Sequence, residues 1–179
     1  MIEFPYPLRV GILGACRWNF FIATLLKRKK PISVVYVCAK PPIATSLCEF
    51  LREKNINCKH IANDTAPLHN LEKNSVILLT SSHSRIVTSS LRSDVPLYFL
   101  IDNYVYTPEN IIPKLNFLFL FEQNDKNLKQ IYHEQIWMGP GYEKFKKMCE
   151  NCWNEYEDGF IVSNLVTREF FTIRQLLES

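Results

Sequence analysis

The chain has 179 residues, a length that suits one domain with a full hydrophobic core. Hydrophobic residues make up 47% and charged residues 22%, which excludes a disordered chain, and a net charge of +3 is too small to mark a nucleic-acid binder. No apolar run is long enough to span a bilayer, so no membrane association is expected. The opening stretch MIEFPYPLRV lacks a basic region followed by an apolar core and a cleavage site, which argues against secretion and for an intracellular protein. In that setting Cys16, Cys38, Cys48, Cys58, Cys149 and Cys152 read as reduced thiols and not as a disulfide framework.

The first element is the apolar run Leu8–Leu13, a strand that ends in Gly14. A turn, Gly14-Ala15-Cys16-Arg17-Trp18-Asn19, leads into an apolar helix, Phe20–Leu26, closed by the basic run Lys27–Lys30. That run suits the negative end of a helix dipole and is the chain's one basic cluster with a claim on nucleic acid. The β-branched run Ile32–Cys38 is the second strand. Ala44–Asn55, with Leu47, Phe50 and Leu51 at helical spacing, is the second helix. Cys58–Ile61 reads as a short edge strand, Asn63–Asn74 as a polar loop, and Ser75–Thr80 as a buried strand. A short helix over Ile86–Leu91 follows, then the strand Pro96–Asp102 with an acid at its end. Glu109–Leu115 reads as a short helix and Asn116–Phe121 as a strand. Amphipathic helices over Lys126–Trp137 and Tyr142–Glu155 flank Gly139-Pro140-Gly141. Gly159–Val162 is a short strand, and Glu169–Leu176 an edge strand or helix. Strand–helix alternation without repeats or linkers predicts a single three-layer α/β domain, residues 1–179, around a mostly parallel sheet.

Two phosphate-binding patterns can be laid on the first turn. The P-loop pattern G-x-x-x-x-G-K-[ST], started at Gly11, keeps that glycine and Gly14 inside the loop, but puts Cys16, Arg17 and Trp18 where glycine, lysine and a hydroxyl belong. The dinucleotide pattern G-x-G-x-x-G, started at Gly14, reads Gly14, Cys16, Asn19 and keeps one glycine. It also lacks the acid wanted after the second strand, which ends Cys38-Ala39-Lys40. The nicotinamide-dinucleotide reading is therefore the alternative, and a strand–turn–helix unit that binds nothing is the plain one.

Three stretches carry a family resemblance: PYPLRVGILGACRWNFFIATLL, PLYFLIDN, and the late segment from NFLFLF through YEKFKKMCENCWNEYEDGFIVSNL. In that order they resemble the FtsK-like genome-packaging ATPases of large DNA viruses, the poxvirus type and its relatives. The resemblance implies a P-loop NTPase-like fold, here truncated, and an ancestral activity of ATP-driven DNA translocation. By position it makes Gly11, Gly14, Cys16, Arg17 and Trp18 the remnant of the nucleotide-binding loop, and Asp102 and Asn103 the remnant of the Walker-B pair. Members of the family keep a lysine, a metal-binding hydroxyl, a second acid and a polar sensor strand. Here arginine cannot replace a lysine point charge in a tight loop, and tryptophan offers a metal no oxygen. Asparagine cannot act as a base, and the sensor segment is missing. These losses imply a pseudo-ATPase with no intact catalytic residue and no cofactor, with ATP and Mg²⁺ entering only if the remnant site works. The implied activity is binding or assembly, with a second copy, an intact related ATPase, or another viral or host protein as partner. DNA remains a further candidate partner. A structural or host-interacting viral protein on the same fold is a second reading.

Other candidates are weaker. Cys149-x-x-Cys152 has metal spacing, but with Phe145, Met148 and Trp153 beside it the pair reads as core thiols, and no metal is expected. His83 follows the third long strand and reads as a surface or capping residue. The two late helices carry more apolar residues than one core face needs. Trp137, Phe145 and Trp153, rimmed by Lys144, Lys146 and Lys147, are therefore interface candidates.

Overall fold

The computed structural model describes residues 8–14, 16–27, 33–37, 41–61, 71, 74–80, 94–107, 111–136, 141–156, 159–172 and 175. Its strands are β1 (Arg9–Leu13), β2 (Ser33–Val37), β3 (Asn57–Ile61), β4 (Ser75–Thr80), β5 (Leu97–Ile101), β6 (Phe117–Leu120), β7 (Ile161–Asn164) and β8 (Glu169–Thr172). Among the described residues the α-helices are α1 (Arg17–Leu26), α2 (Pro41–Glu53), α3 (Asp125–Ile131) and α4 (Tyr142–Glu155).

All eight strands join one sheet in the order β3-β2-β4-β5-β1-β6-β7-β8. The first six are parallel, and β7 and β8 extend the sheet antiparallel beyond β6. Strands β4 and β5 read as unbroken apolar runs because helices cover both faces. Alternation along β1 sends Val10 and Ile12 to one face and Leu13 to the other. On the first face they meet Phe21 and Leu25 of α1, one helical turn apart, and Cys48 and Leu51 of α2. On the second, Leu13, Phe99, Ile101 and Leu118 meet Leu128 and Ile131 of α3 and Phe145, Cys149 and Cys152 of α4. The result is the three-layer α/β architecture with a mostly parallel sheet that strand–helix alternation predicts.

Several elements differ in detail from expectation. Helix α1 starts at Arg17, not Phe20, so half of the expected turn is helical. The expected helix Glu109–Leu115 is a 3₁₀ turn at Ile112–Lys114, where Pro113 has no N–H to continue a helix. The expected helix Lys126–Trp137 starts at Asp125, capped by Asn124 on Asn127 N, and widens into a π-helical turn at Tyr132–Ile136. The last segment is an edge strand at Glu169–Thr172. The helix expected over Ile86–Leu91 lies outside the described residues. The cysteine reading needs a correction: Cys48 of α2 and Cys58 of β3, both buried, are joined as a disulfide. Cys16, Cys149 and Cys152 are not disulfide-bonded.

Candidate functional site

Strand β1 leaves the sheet between the ends of β5 and β6, with Leu13 level with Ile101 on one side and Leu120 on the other. From there the chain travels to β2 on the β5 side, while β6 is reached by crossing β1 to the other. This reversal makes the crevice above β1 and β6 the topological switch point, where parallel α/β sheets bind ligands.

Gly14 closes that crevice tightly. Its φ of +126° is one that residues with a side chain rarely adopt, and a Cβ there would lie 2.6 Å from Phe121 Cβ and 3.0 Å from Gln123 Nε2. Phe121 N donates to Leu13 O at 3.0 Å. Gln123 Nε2 donates back to the carbonyls of Phe121 and Glu122, at 3.1 and 2.7 Å. Gly11 has a different place. It lies inside β1, paired with Phe99 and Leu118, and a Cβ on it would press on the Cδ1 atoms of Leu115 and Leu118 at 2.7 and 2.9 Å. It is a glycine of close strand–core packing, so counting it as a loop glycine is corrected here.

Helix α1 begins at Arg17, directly after Cys16, whose side chain makes no cap hydrogen bond. The Cys16 carbonyl accepts from Phe20 N at 3.0 Å. Arg17 folds back over the turn: Nη1 donates to Gly14 O at 2.8 Å, and Nη2 forms an ion pair with Asp102 Oδ1 at the end of β5. The arginine side chain is 20% exposed and the aspartate 53%, so the pair sits half in solvent. Among the described residues Arg17 Nε, which is buried, has no hydrogen-bond partner. Trp18 and Cys16 are partly buried against the α1-side core. Asn103 is committed to the backbone: its Oδ1 accepts from Val105 N at 3.1 Å, and its carbonyl accepts from Thr107 Oγ1 at 3.0 Å, turning the chain into a 3₁₀ turn at Tyr104–Tyr106.

The fold thus brings Gly14, Cys16, Arg17, Asp102 and Asn103 to one edge, and leaves Gly11 below it in the sheet. Phe121 and Gln123, which form the β6 wall, carry no motif that would have marked them. The two described interface candidates, Phe145 and Trp153, do not share a surface. Phe145 is fully buried in the core, which corrects its assignment as a surface residue. Trp153 is partly buried and donates Nε1–H to Leu120 O at 3.2 Å, and Trp137 lies outside the described residues. Lys146 pairs with Asp125 at 2.5 Å, while Lys144 and Lys147 are exposed. Cys149 and Cys152 lie in the core, where burial pushes the Cys149 thiol up and Cys152 Sγ donates to Phe160 O at 3.2 Å. His83 lies outside the described residues, as does the basic run after Lys27.

The nicotinamide-dinucleotide alternative fails on strand order. Its fold sets the second strand beside the first, whereas here β4 and β5 stand between β1 and β2.

No protein-family profile matches the chain, and no curated protein matches its sequence. Solved structures do match. The genome packaging NTPase B204 of Sulfolobus turreted icosahedral virus 2, in complex with AMPPCP, superposes with a TM-score of 0.55 and 9% identity over 94% of this chain and 98% of that one. The same NTPase in complex with AMP gives 0.56 and 12% over 93% and 98%. The B204 DNA-packaging ATPase from Sulfolobus turreted icosahedral virus gives 0.54 and 12% over 91% and 95%. At such identities the likeness is one of fold: this chain shares the α/β fold of those NTPases.

Proposed function

We propose that the chain is a relative of the viral genome-packaging ATPases that has lost hydrolysis and acts by binding or assembly. The observation that carries this reading is the Arg17–Asp102 ion pair. A P-loop enzyme keeps a lysine free for phosphate and a strand-end carboxylate free for Mg²⁺. Here β5 lies directly beside β1, and the residues in those two positions hold each other.

Three further features support it. Gly11 to Leu13, which the motif count puts in the phosphate loop, are paired to both β5 and β6, so their backbone is not available to wrap a phosphate. Trp18 offers no oxygen, and Asn103 spends its oxygen on Val105 N. The contact of Gly14 with Phe121 leaves the switch point without depth at that spot. Mg²⁺–ATP therefore does not fit the residues present. Loss of function in this reading rests on the turn and on Asn103.

The partner in this reading is a second copy, an intact packaging ATPase, or another viral or host protein, with DNA as an additional ligand of the assembly. The test is Mg²⁺-dependent ATP turnover by the purified chain, alone, with DNA, and mixed with an intact packaging ATPase. Background turnover alone and altered DNA-stimulated turnover in the mixture are expected. A robust rate from the chain alone that Asp102→Ala abolishes without unfolding overturns the proposal. A monomer indifferent to DNA and to the intact enzyme favours a structural role on the same fold.

A further inference from the structure

Two residues beyond Asp102, on the other side of Asn103, a second polar constellation is built that the nucleotide turn does not use. Tyr104 is buried, and its hydroxyl donates to Glu134 Oε2 at 2.8 Å and accepts from Gln135 Nε2 at 3.0 Å. Gln130 Nε2 donates to the other carboxylate oxygen, Glu134 Oε1, at 2.7 Å. The π-helical turn Tyr132–Ile136 sets consecutive residues Glu134 and Gln135 on the same phenol. Such turns recur at functional sites because they re-aim side chains that an α-helix would separate. These groups, with Thr107 and Ile112, line a cavity of about 380 Å³ open to solvent.

The hydrogen-bond inventory of the wall has a sign. The Tyr104 hydroxyl donates once and accepts once. Each glutamine spends an amide hydrogen inside the cluster, and among the described residues its Oε1 accepts nothing. Thr107 Oγ1 spends its proton on Asn103 O. What the wall still offers is mostly acceptors: two amide oxygens, the threonine oxygen and the remaining lone pairs of a carboxylate, beside one unspent amide hydrogen on each glutamine. Among the described residues no lysine or arginine lines the cavity. An anion would meet the Glu134 charge, and an apolar ligand would leave the acceptors dry and unpaired. We infer that this cavity is a binding site for a guanidinium cation, whose planar fork of N–H donors matches a carboxylate flanked by amide oxygens. The inference is independent of the fate of the nucleotide turn.

The guanidinium has two sources, a free small molecule or an arginine side chain of a second copy of this chain, and one experiment addresses both. The full ¹⁵N-labelled chain is titrated with methylguanidinium and, separately, methylammonium at low millimolar concentration, followed by amide shifts. Saturable shifts at Val105 and Thr107 are expected, with methylguanidinium tighter by about tenfold. Glu134→Gln keeps the shape and removes the charge, and should weaken binding by about tenfold with an unchanged unfolding midpoint. Tyr104→Phe provides a second variant, which releases Glu134 while keeping the ring. Sedimentation velocity separates the sources. A self-associated species dissociated by methylguanidinium assigns the cation to the second copy, and a sedimentation profile that does not change assigns it to a free ligand. Shifts that rise linearly without saturation, or that are the same in Glu134→Gln, overturn the inference.

Discussion

Arg17 and Asp102 stand 85 positions apart in the chain and meet as an ion pair where α1 begins and β5 ends. The parallel pairing of β1 with β5 brings the two residues to the same edge of the sheet, since Leu13 and Ile101 are level. The pair is charge-neutral as a unit, so the start of α1 presents neither the free cation nor the free carboxylate that a nucleotide site needs. In the function proposed above its importance is chemical and not structural, because half-exposed pairs contribute little to folding.

That distinction gives the first prediction. Asp102→Ala should change the free energy of unfolding by no more than about 1 kcal/mol, with an unchanged denaturant slope in urea. A loss of more than about 2 kcal/mol would make the pair a pillar of the fold and weaken its reading as a self-quenched site.

A second prediction separates the glycines. Gly14→Ala forces a side chain into a positive φ and against Phe121 Cβ, and should cost about 2–4 kcal/mol. Gly11→Ala presses on flexible leucine ends and should cost about 1–3 kcal/mol. Gly141 has open space where its Cβ would be, so Gly141→Ala should stay within about 1 kcal/mol as the control. Urea unfolding of the three variants checks the order.

Much of the fold is legible in the residues because its causes are local. Val76 to Leu79 and Leu97 to Ile101 are unbroken apolar runs, and a sheet covered on both faces is what such runs require. The start of α1 is not legible, because Cys16 caps it with backbone alone and Trp18 hides the helical phase. The Asn124 cap on Asn127 N is a written signal that goes unread, while the π-helical turn has no signature in periodicity at all. At the site, the residue types of the turn are readable, but their relations are not. Motif counting sets Gly11 in a loop when pairing on both sides holds it in β1. Phe145 reads as surplus apolar surface until the sheet face that receives it is known.

The third prediction concerns alkaline pH. The Tyr142 hydroxyl donates to Asp125 Oδ1 at 2.9 Å, and burial followed by that hydrogen bond pushes its pKa up to about 12 from 10.0. The folded state thus holds this proton more tightly than the unfolded chain. The stabilisation is complete below pH about 10 and lost as pH rises through about 12. The unfolding midpoint should fall across that window and fall less in Tyr142→Phe. Lys146 and Asp125 shift in the directions their mutual hydrogen bond dictates, up for the ammonium and down for the carboxylate. Lys146→Met should therefore raise the Asp125 pKa in a carboxyl NMR titration.

The last prediction tests where an assembly surface can lie on α4. Phe145 is fully buried and ringed by Tyr132 and Phe170, at centroid distances of 5.6 and 5.7 Å. Phe145→Ala should cost about 3–5 kcal/mol through the cavity it leaves. Trp153 has a divided environment. Its indole N–H is spent on Leu120 O, which ties α4 to β6, while the rest of the ring borders a cleft with Glu122, Asp125, Lys146 and Glu150. Trp153→Phe keeps the packing and removes the donor, and should cost about 1 kcal/mol. If this cleft takes part in assembly, Asn154→Lys on its exposed rim should weaken self-association or capture of an intact packaging ATPase, with the unfolding midpoint unchanged. Phe145→Ala should lower stability and association together. Sedimentation and thermal unfolding of the same three variants distinguish the cases, and an Asn154→Lys chain that associates normally removes the outer rim of α4 from any interface.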